Sequence, residues 1–394
     1  MKYISLFAGC GGFDLGLIGH GFSPIAAYDC DCDAVLNYRA NIDGSVHCVD
    51  LREGLPNGKQ ATNVDVLIAG PPCQGFSTAG KRLVDDERNQ LLPLTGALAR
   101  QVQPKVMVVE NVAGALSGAH AKYWMELNEG MRSAGYKTHT MVCQTVDIGM
   151  AQLRKRVLLF AWRTGNEIRF EPEVKPAGML KDVLGGLRGV ANHEPRPLKR
   201  DSTEWKIAQH VKQGQKLSNV RGGANAVAAW DIPEVFGAIT ADERTVLELL
   251  RRLRRQERQR DCGDADPVSM GRLESALGMR FKALVNSLIS KGYVKKVDGG
   301  VDLVGTFNGK YRRMAWNEPS STVDTRFGSP RYFLHPTQQR GFSVREAARI
   351  QGFCDSYKFL GSEMAQYRLI GNAVPPPLGA HAAKFIGQLL GHNG

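Results

Sequence analysis

Lys2-Tyr3-Ile4-Ser5-Leu6-Phe7-Ala8-Gly9-Cys10-Gly11-Gly12-Phe13 stands at the start of the chain. An apolar run of strand length closes on a cluster of glycines. Glycines at that point let the backbone approach a ligand at the C-terminal edge of a parallel strand. Further apolar, largely continuous runs occupy residues 24–29, 64–69, 106–109 and 157–162. A strand that is apolar on every residue suits burial on both faces. Helical stretches at 33–39, 90–102 and 121–134 separate these runs. The alternation predicts an α/β domain over residues 1–165 with a mostly parallel sheet.

The whole chain has 394 residues, with hydrophobic content of 43% and charged content of 23%. That is ordinary globular composition and excludes disorder as the main state; the length predicts two or three domains. The apolar runs are too short to span a bilayer. Asp14 and the glycines stand where a signal peptide would need an apolar core, so no membrane role is expected. Eight cysteines without a CxxC pair predict a reduced, cytoplasmic protein without disulfides. No Cys/His cluster has metal-ligand spacing, so no metal is expected. Lys+Arg 51 against Asp+Glu 39 leaves a net charge of +12, compatible with nucleic acid but not specific to it.

After residue 165 the alternation stops, and residues 166–240 show scattered Pro and Gly. Thr240 and Glu243 form a capping-box pair opening a helix with Val246, Leu247, Leu249, Leu250 and Leu253 on its apolar side. Helices follow at 269–277 and 280–290, then a hairpin about Asp298-Gly299-Gly300. Three helices and a two-stranded ribbon over 241–306 follow winged-helix order. The third helix carries Lys282, Asn286, Ser287 and Lys291 outside its apolar stripe, as a recognition helix would. Residues 241–313 hold 16 Lys+Arg against 10 Asp+Glu. That is half of the chain's excess positive charge, with the run Arg251-Arg252-Leu253-Arg254-Arg255 on the first helix. An irregular helical insertion that only packs or oligomerises is the plainer alternative. Residues 341–394 return to alternation, with helices at 344–351 and after Pro377.

Several motifs lie at strand ends. Asp29 ends the second run, placed to accept hydrogen bonds from ribose hydroxyls; a glycine turn with no ligand is the plainer reading. Gly70-Pro71-Pro72-Cys73-Gln74-Gly75-Phe76-Ser77 follows the run 64–69, which brings Cys73 to the same sheet edge. There a partly deprotonated thiol can be a nucleophile, whereas most lone cysteines are small buried hydrophobes. Glu110-Asn111-Val112 puts a carboxylate at a further strand end, where a solvated acid or ion pair is the alternative. Gln152-Leu153-Arg154-Lys155-Arg156 precedes the run 157–162. Alternation sets Gln152, Arg154 and Arg156 on one side, which also fits an exposed basic edge strand.

With these stand Arg345-Glu346-Ala347-Ala348-Arg349-Ile350-Gln351-Gly352-Phe353 and Gly371-Asn372-Ala373-Val374-Pro375-Pro376. Taken in order, the six motifs resemble a bacterial cytosine-5 DNA methyltransferase over residues 3–163 and about 316–388. The resemblance implies a Rossmann-like methyltransferase domain and S-adenosylmethionine as cofactor. Phe7, Gly9, Gly11, Gly12 and Pro72 would line it, Asp29 would hold the ribose, Asp50 and Leu51 the adenine, and Asn372 and Val374 the far side. Asp29 stands where the family usually has Glu, and Cys354 where it often has Pro. The resemblance further implies a flipped-out cytosine attacked at C6 by Cys73. Glu110 would bind N3 and the exocyclic amine, and Arg154 and Arg156 would hold the base and its phosphate. Gln74, Ser77, Lys81, Arg82 and Gln152 would touch double-stranded DNA, with 77–88 as a closing loop and 166–340 as target-recognition domain. Lys282 and Asn286 would contact DNA within it.

A cognate restriction endonuclease is a possible partner. The chain starts at the cofactor strand, so no long N-terminal regulatory region is expected and the origin reads as bacterial or phage. The rival readings are a transfer-RNA cytosine-5 methyltransferase, a non-catalytic DNA-binding regulator with the same core, and a nicotinamide enzyme. The last leaves the Pro-Pro-Cys motif unexplained.

Overall fold

A computed structural model describes residues 1–42, 44–56, 64–72, 87–163, 165–256, 258, 266–278, 280–305 and 309–391. Two compact units divide the chain: 1–194 with 316–326 and 343–394, and 195–315 with 327–342. The first therefore extends past the expected boundary at 165 and takes back a short stretch, 316–326, from near the end of the expected recognition domain.

In the first unit the elements run β1 (Lys2–Leu6), α1 (Gly12–Ile18), β2 (Ser23–Asp29), α2 (Cys32–Asn41), β3 (Val46–Cys48) and β4 (Val66–Ala69). They continue with α3 (Leu91–Val102), β5 (Val106–Val112), α4 (Ala121–Ser133), β6 (Lys137–Gln144), β7 (Lys155–Trp162) and α5 (Leu180–Val183). The sheet order is β3-β2-β1-β4-β5-β7-β6. β1 to β5 are parallel, while β7 lies antiparallel between β5 and β6. This is a Rossmann-like methyltransferase fold. Strand order reverses between β1 and β4, so the turns after those two strands open side by side, where such sheets bind ligands.

Both faces of the sheet are covered, which explains the unbroken apolar runs. Leu67, Ala69, Met107 and Val109 point into one layer with Leu92 and Leu98 of α3 and Trp124 and Leu127 of α4. Val66, Ile68, Val106 and Val108 point into the other, with Phe13 and Leu17 of α1. That layer is closed by Leu378, Ile386 and Leu389, far along the chain. β6 was not foreseen, because its mixed sequence Lys-Thr-His-Thr-Met-Val-Cys-Gln suits a half-exposed edge.

The second unit carries α6 (Thr203–His210), β8 (Lys216–Leu217), β9 (Ala226–Val227), α7 (Pro233–Phe236) and α8 (Ala241–Gln256). Then come β10 (Val268–Ser269), α9 (Met270–Leu277), α10 (Phe281–Ser290), β11 (Val294–Val297), β12 (Gly300–Leu303), β13 (Arg312–Arg313) and β14 (Phe333–Leu334). The expected helices and hairpin between 241 and 304 are present. β10, too short to stand out in sequence, adds a third strand in the order β10-β12-β11. Val246, Leu250, Leu273, Phe281, Val285, Leu288, Val294 and Val301 share one buried cluster.

The polar residues of this segment differ from expectation. Glu243 closes the capping box with Thr240. Its carboxylate also accepts from Ser287 Oγ at 2.6 Å and from Lys291 Nζ at 2.9 and 2.8 Å. Ser287 and Lys291 thus pin α10 to α8 instead of facing outward. Arg254 pairs with Asp302 and is buried. Arg251 donates to the Asn219 carbonyl at 3.1 Å and stacks over Trp230. The basic run is therefore only partly available: Arg252 and Arg255 remain exposed, as do Lys282 and Asn286.

The first unit is completed by α11 (Val344–Gln351), α12 (Glu363–Asn372) and α13 (Pro376–Leu389). α13 lies against α1 so closely that a Cβ on Gly16 would come within 2.3 Å of the Ala380 nitrogen. Any side chain at Gly16 would push the two helices apart.

Candidate active site

Three residues of the first turn have left-handed backbone: Phe7 (φ 51), Gly9 (φ 56) and Gly11 (φ 82). For Phe7 that conformation is strained, and strain of this kind is held at functional sites by its surroundings. Here the Ala8 N–H donates to the Tyr28 carbonyl at 3.0 Å, and the Gly11 N–H to the Ala8 carbonyl at 2.9 Å. A Cβ on Gly9 would meet nothing within 4 Å, whereas one on Gly12 would strike the Val374 carbonyl at 2.2 Å. Gly9 therefore borders open space, and Gly12 is needed for packing.

Asp29 closes β2 beside this turn. Its Oδ2 accepts the Gly9 N–H and its Oδ1 the Asp31 N–H, both at 2.8 Å. Burial pushes its carboxyl up to about 6, against the pull of the Gly9 N–H and of Arg368. Asp50 caps the short turn Leu51–Glu53 and pairs with Arg52, while Leu51 is buried in the core. Asn372 is exposed at the end of α12. Val374 reaches within 3.4 Å of where a Gly70 Cβ would stand, so it touches both turns. Beneath the glycines, Asp14 is buried and accepts from Ser5 Oγ at 3.0 Å and Tyr38 OH at 2.9 Å.

At the next strand end, Asn111 Nδ2 donates to the Pro71 carbonyl at 3.3 Å, tying β5 to the turn after β4. Pro72 is half-buried at the close of that described stretch. Cys73, Gln74, Ser77, Lys81 and Arg82 lie outside the described residues. Glu110 of β5 is 7% exposed, and its Oε1 stands 2.8 Å from Arg156 Nε of β7. The antiparallel register explains the pairing. Arg156 is opposite Val112, two residues from Glu110 and on the same face, which is diagonal reach for a long side chain. The two groups approach as an ion pair, though Glu110 Oε1 makes no well-aligned hydrogen bond and keeps its capacity for a ligand.

Gln152, Arg154 and Arg156 lie on one side of their segment, as alternation predicts, with Leu153 and Lys155 exposed on the other, but that side is covered rather than open for the first two. Both precede β7 and are buried. Gln152 Nε2 donates to the Ile350 carbonyl at 3.2 Å and to Gln351 Oε1 at 2.8 Å, and its Oε1 accepts the Val323 N–H at 2.9 Å. No part of this amide is left to touch DNA. Arg154 donates to the carbonyls of Val323 (3.1 Å), Gly371 (3.3 Å) and Ala373 (3.1 Å). It is a strut holding the turn that carries Asn372 and Val374, not an exposed phosphate ligand. Removing it takes the Arg154 donors from the Val323 and Gly371 carbonyls and one of two donors from Ala373, which Gln351 Nε2 still holds at 2.8 Å, so Arg154→Met should lose about 3–5 kcal/mol of unfolding free energy. Arg156→Met, half-buried, should lose about 1 kcal/mol. Urea unfolding of the two variants side by side checks this, and equal stability would refute the strut.

Sequence reasoning missed Arg368, which ion-pairs with Asp31 and Asp33 just after Asp29. The visible signal was three carboxylates at alternate positions 29, 31 and 33 with no nearby cation in sequence. Among the described residues, no group of three or more His, Cys, Asp or Glu is placed to hold a metal. Nor is any helix there long and apolar enough to cross a membrane.

The family model of C-5 cytosine-specific DNA methylases matches residues 1–388. The Type II methyltransferase M.AgeI of Thalassovita gelatinovora is 30% identical, over 98% of this chain and 99% of its own length. The Type II methyltransferase M.XorII of Xanthomonas oryzae pv. oryzae is 31% identical, over 98% of this chain and 84% of its own. Among solved structures, the Entamoeba histolytica methyltransferase EhMeth superposes with TM-score 0.58 at 13% identity, covering 98% of both chains. An E. coli prophage-encoded protein gives TM-score 0.60 at 21% identity over 100% of both. At such identities the structural likeness speaks for the fold alone.

Proposed function

Because the chain belongs to the C-5 cytosine-specific DNA methylase family and so is a cytosine-5 DNA methyltransferase, we propose that it methylates C5 of a cytosine flipped out of a specific duplex sequence, with S-adenosylmethionine as donor. The observation that carries the chemistry is the Glu110–Arg156 pair at a strand end next to the turn of Pro71 and Pro72.

The residues at the first turn fit a nucleoside cofactor. Gly9 borders open space, and Asp29 keeps acceptor capacity beyond its two backbone bonds. Phe7, Gly9, Gly11, Asp29, Asp50, Leu51, Pro72, Asn372 and Val374 would line the site, with Gly12 keeping Val374 in place. When bound, the sulfonium supplies an electrophilic methyl group.

The chain's own residues prepare the base. Cys73 thiolate adds to C6, and the ring's electron pair moves toward C5. Glu110 in its acid form donates to N3 as negative charge builds there, its other oxygen accepts from the exocyclic amine, and Arg156 keeps the carboxyl in place. C5 then takes the methyl, loses its proton and expels Cys73, which restores the ring. Arg154 supports the cofactor turn rather than the base. Gln74, Ser77, Lys81 and Arg82 would face DNA from the loop after Cys73.

In the second unit, the order helix, strand, two helices and hairpin supports a winged-helix reading, in which the exposed Lys282 and Asn286 of α10 would enter a DNA groove. The naming of its relatives as Type II methyltransferases supports a modification enzyme of a restriction–modification pair, working in the cytoplasm.

Bisulfite sequencing of duplex DNA incubated with the protein and S-adenosylmethionine tests the whole reading. Conversion-resistant cytosines at one recurring sequence are expected, and their absence would refute it. Repeating the experiment with a linker in place of 241–306 tests the module. Unchanged sites and unchanged DNA affinity would remove its readout role.

A further inference from the structure

Arg368 stands on α12, three residues before Gly371, and serves none of the roles above. Its guanidinium reaches the β2–α2 turn. Nη1 donates to Asp31 Oδ2, and Nη2 donates to Asp31 Oδ1 at 3.3 Å and to Asp33 Oδ2 at 2.7 Å. Asp31 is the N-cap of α2, accepting the Asp33 N–H at 3.0 Å. The Asp31 N–H in turn orients Asp29 Oδ1. One cation thus holds the residue that holds the expected ribose acid.

Docking of α2 does not depend on this cation. Asn37 exchanges two hydrogen bonds with the backbone of Leu360, and Asn41 two with that of Lys358. Partly exposed ion pairs of this kind add little to stability. The effect of Arg368 should instead fall on the carboxylates of the turn: Asp31 and Asp33 share its guanidinium and would repel one another without it, and its charge favours the ionised form of Asp29.

We propose that Arg368 is a positioning residue for the cofactor: it neutralises and fixes the Asp29–Asp31–Asp33 turn so that Asp29 can accept the ribose hydroxyls. This rests on the ribose role of Asp29 proposed above. The titratable and charged groups that interact with Asp29 are Cys30 from its own turn, Cys10 from the glycine turn, Cys48 from β3 and Arg368 from α12, while Asp31 meets it through its backbone N–H. Arg368 is the cation among them. Burial already lifts Asp29 to about 6. Cofactor binding that needs the ionised acid is complete above that pH and fades below it. Losing Arg368 lifts Asp29 further, so the midpoint must move to higher pH.

Calorimetric S-adenosylmethionine affinity of the full chain between pH 5.5 and 8.5, with kcat at saturating cofactor, tests this in Arg368→Ala, Arg368→Lys and Asp29→Asn. Arg368→Ala should bind roughly 10-fold more weakly at pH 7, with its midpoint shifted upward and kcat falling less than affinity. Arg368→Lys should recover most of the loss. Weakened Asp29→Asn beside an unaffected Arg368→Ala overturns the inference alone. An unaffected Asp29→Asn overturns the ribose reading and the inference with it. Weaker binding with an unmoved midpoint, a lower Tm and no rescue by Lys makes Arg368 merely structural and also overturns it.

Discussion

Cys73→Ala should transfer no detectable methyl group to duplex DNA, a loss of roughly 10⁴-fold or more, as when a covalent nucleophile is removed. The expected cause is specific. Cytosine C5 is a poor nucleophile until a group adds at C6, and an alanine methyl cannot add. Two further readings separate this from misfolding. Cofactor affinity should be retained, because Gly9, Asp29 and Val374 do not depend on the thiol. The wild type should form a complex with duplex DNA carrying 5-fluorocytosine that survives denaturing electrophoresis, since fluorine at C5 cannot leave as a proton does. Cys73→Ala should form none. Labelled methyl transfer at wild-type rate in the variant would refute the covalent mechanism outright.

Glu110→Gln should lower kcat by about 10²–10³-fold while leaving DNA affinity nearly unchanged, the usual cost of losing one group aimed at developing charge. The amide still fills the space but has no acidic proton to give N3 as negative charge builds there. Arg156→Ala should lower kcat too, because Glu110 loses the guanidinium 2.8 Å from its carboxylate. The pair acts as a unit, so the double variant should be little worse than Glu110→Gln alone. Pre-steady-state methyl transfer on all three proteins measures the coupling. Additive losses would mean that Arg156 acts on substrate independently of Glu110.

Much of the first unit was legible because its strands are buried on both faces. Residues 66–69 and 106–109 are apolar throughout, and no other element of that length needs such a run. β6 was not legible, since an edge strand such as Lys137–Gln144 needs no continuous apolar character. β10 was not legible either, as two residues carry no period. In the insertion, helix phase could be read for Val246, Leu250 and Leu253, but not the inward turn of Arg251 and Arg254. Long basic side chains can lie along a helix and bury their heads where a carboxylate such as Asp302 waits, and only the partner strand supplies it.

The chain's order of residues by itself determined the alternating α/β plan, the glycine turn, the strand-end positions of Asp29 and Glu110, and the family to which they belong. These are local facts: a period of two, a run of glycines, a motif after a strand. Only the tertiary structure decided which side chains face the cleft. Alternation puts Gln152, Arg154 and Arg156 on one side of their segment but is silent on what covers that side. Val323, Gln351 and Ala373 cover the first two, so they became struts, while antiparallel register brought Arg156 to Glu110. Arg368 reached Asp31 in the same way, across 337 residues of chain. Charge placement between distant segments follows from packing, and packing is a property of the folded whole.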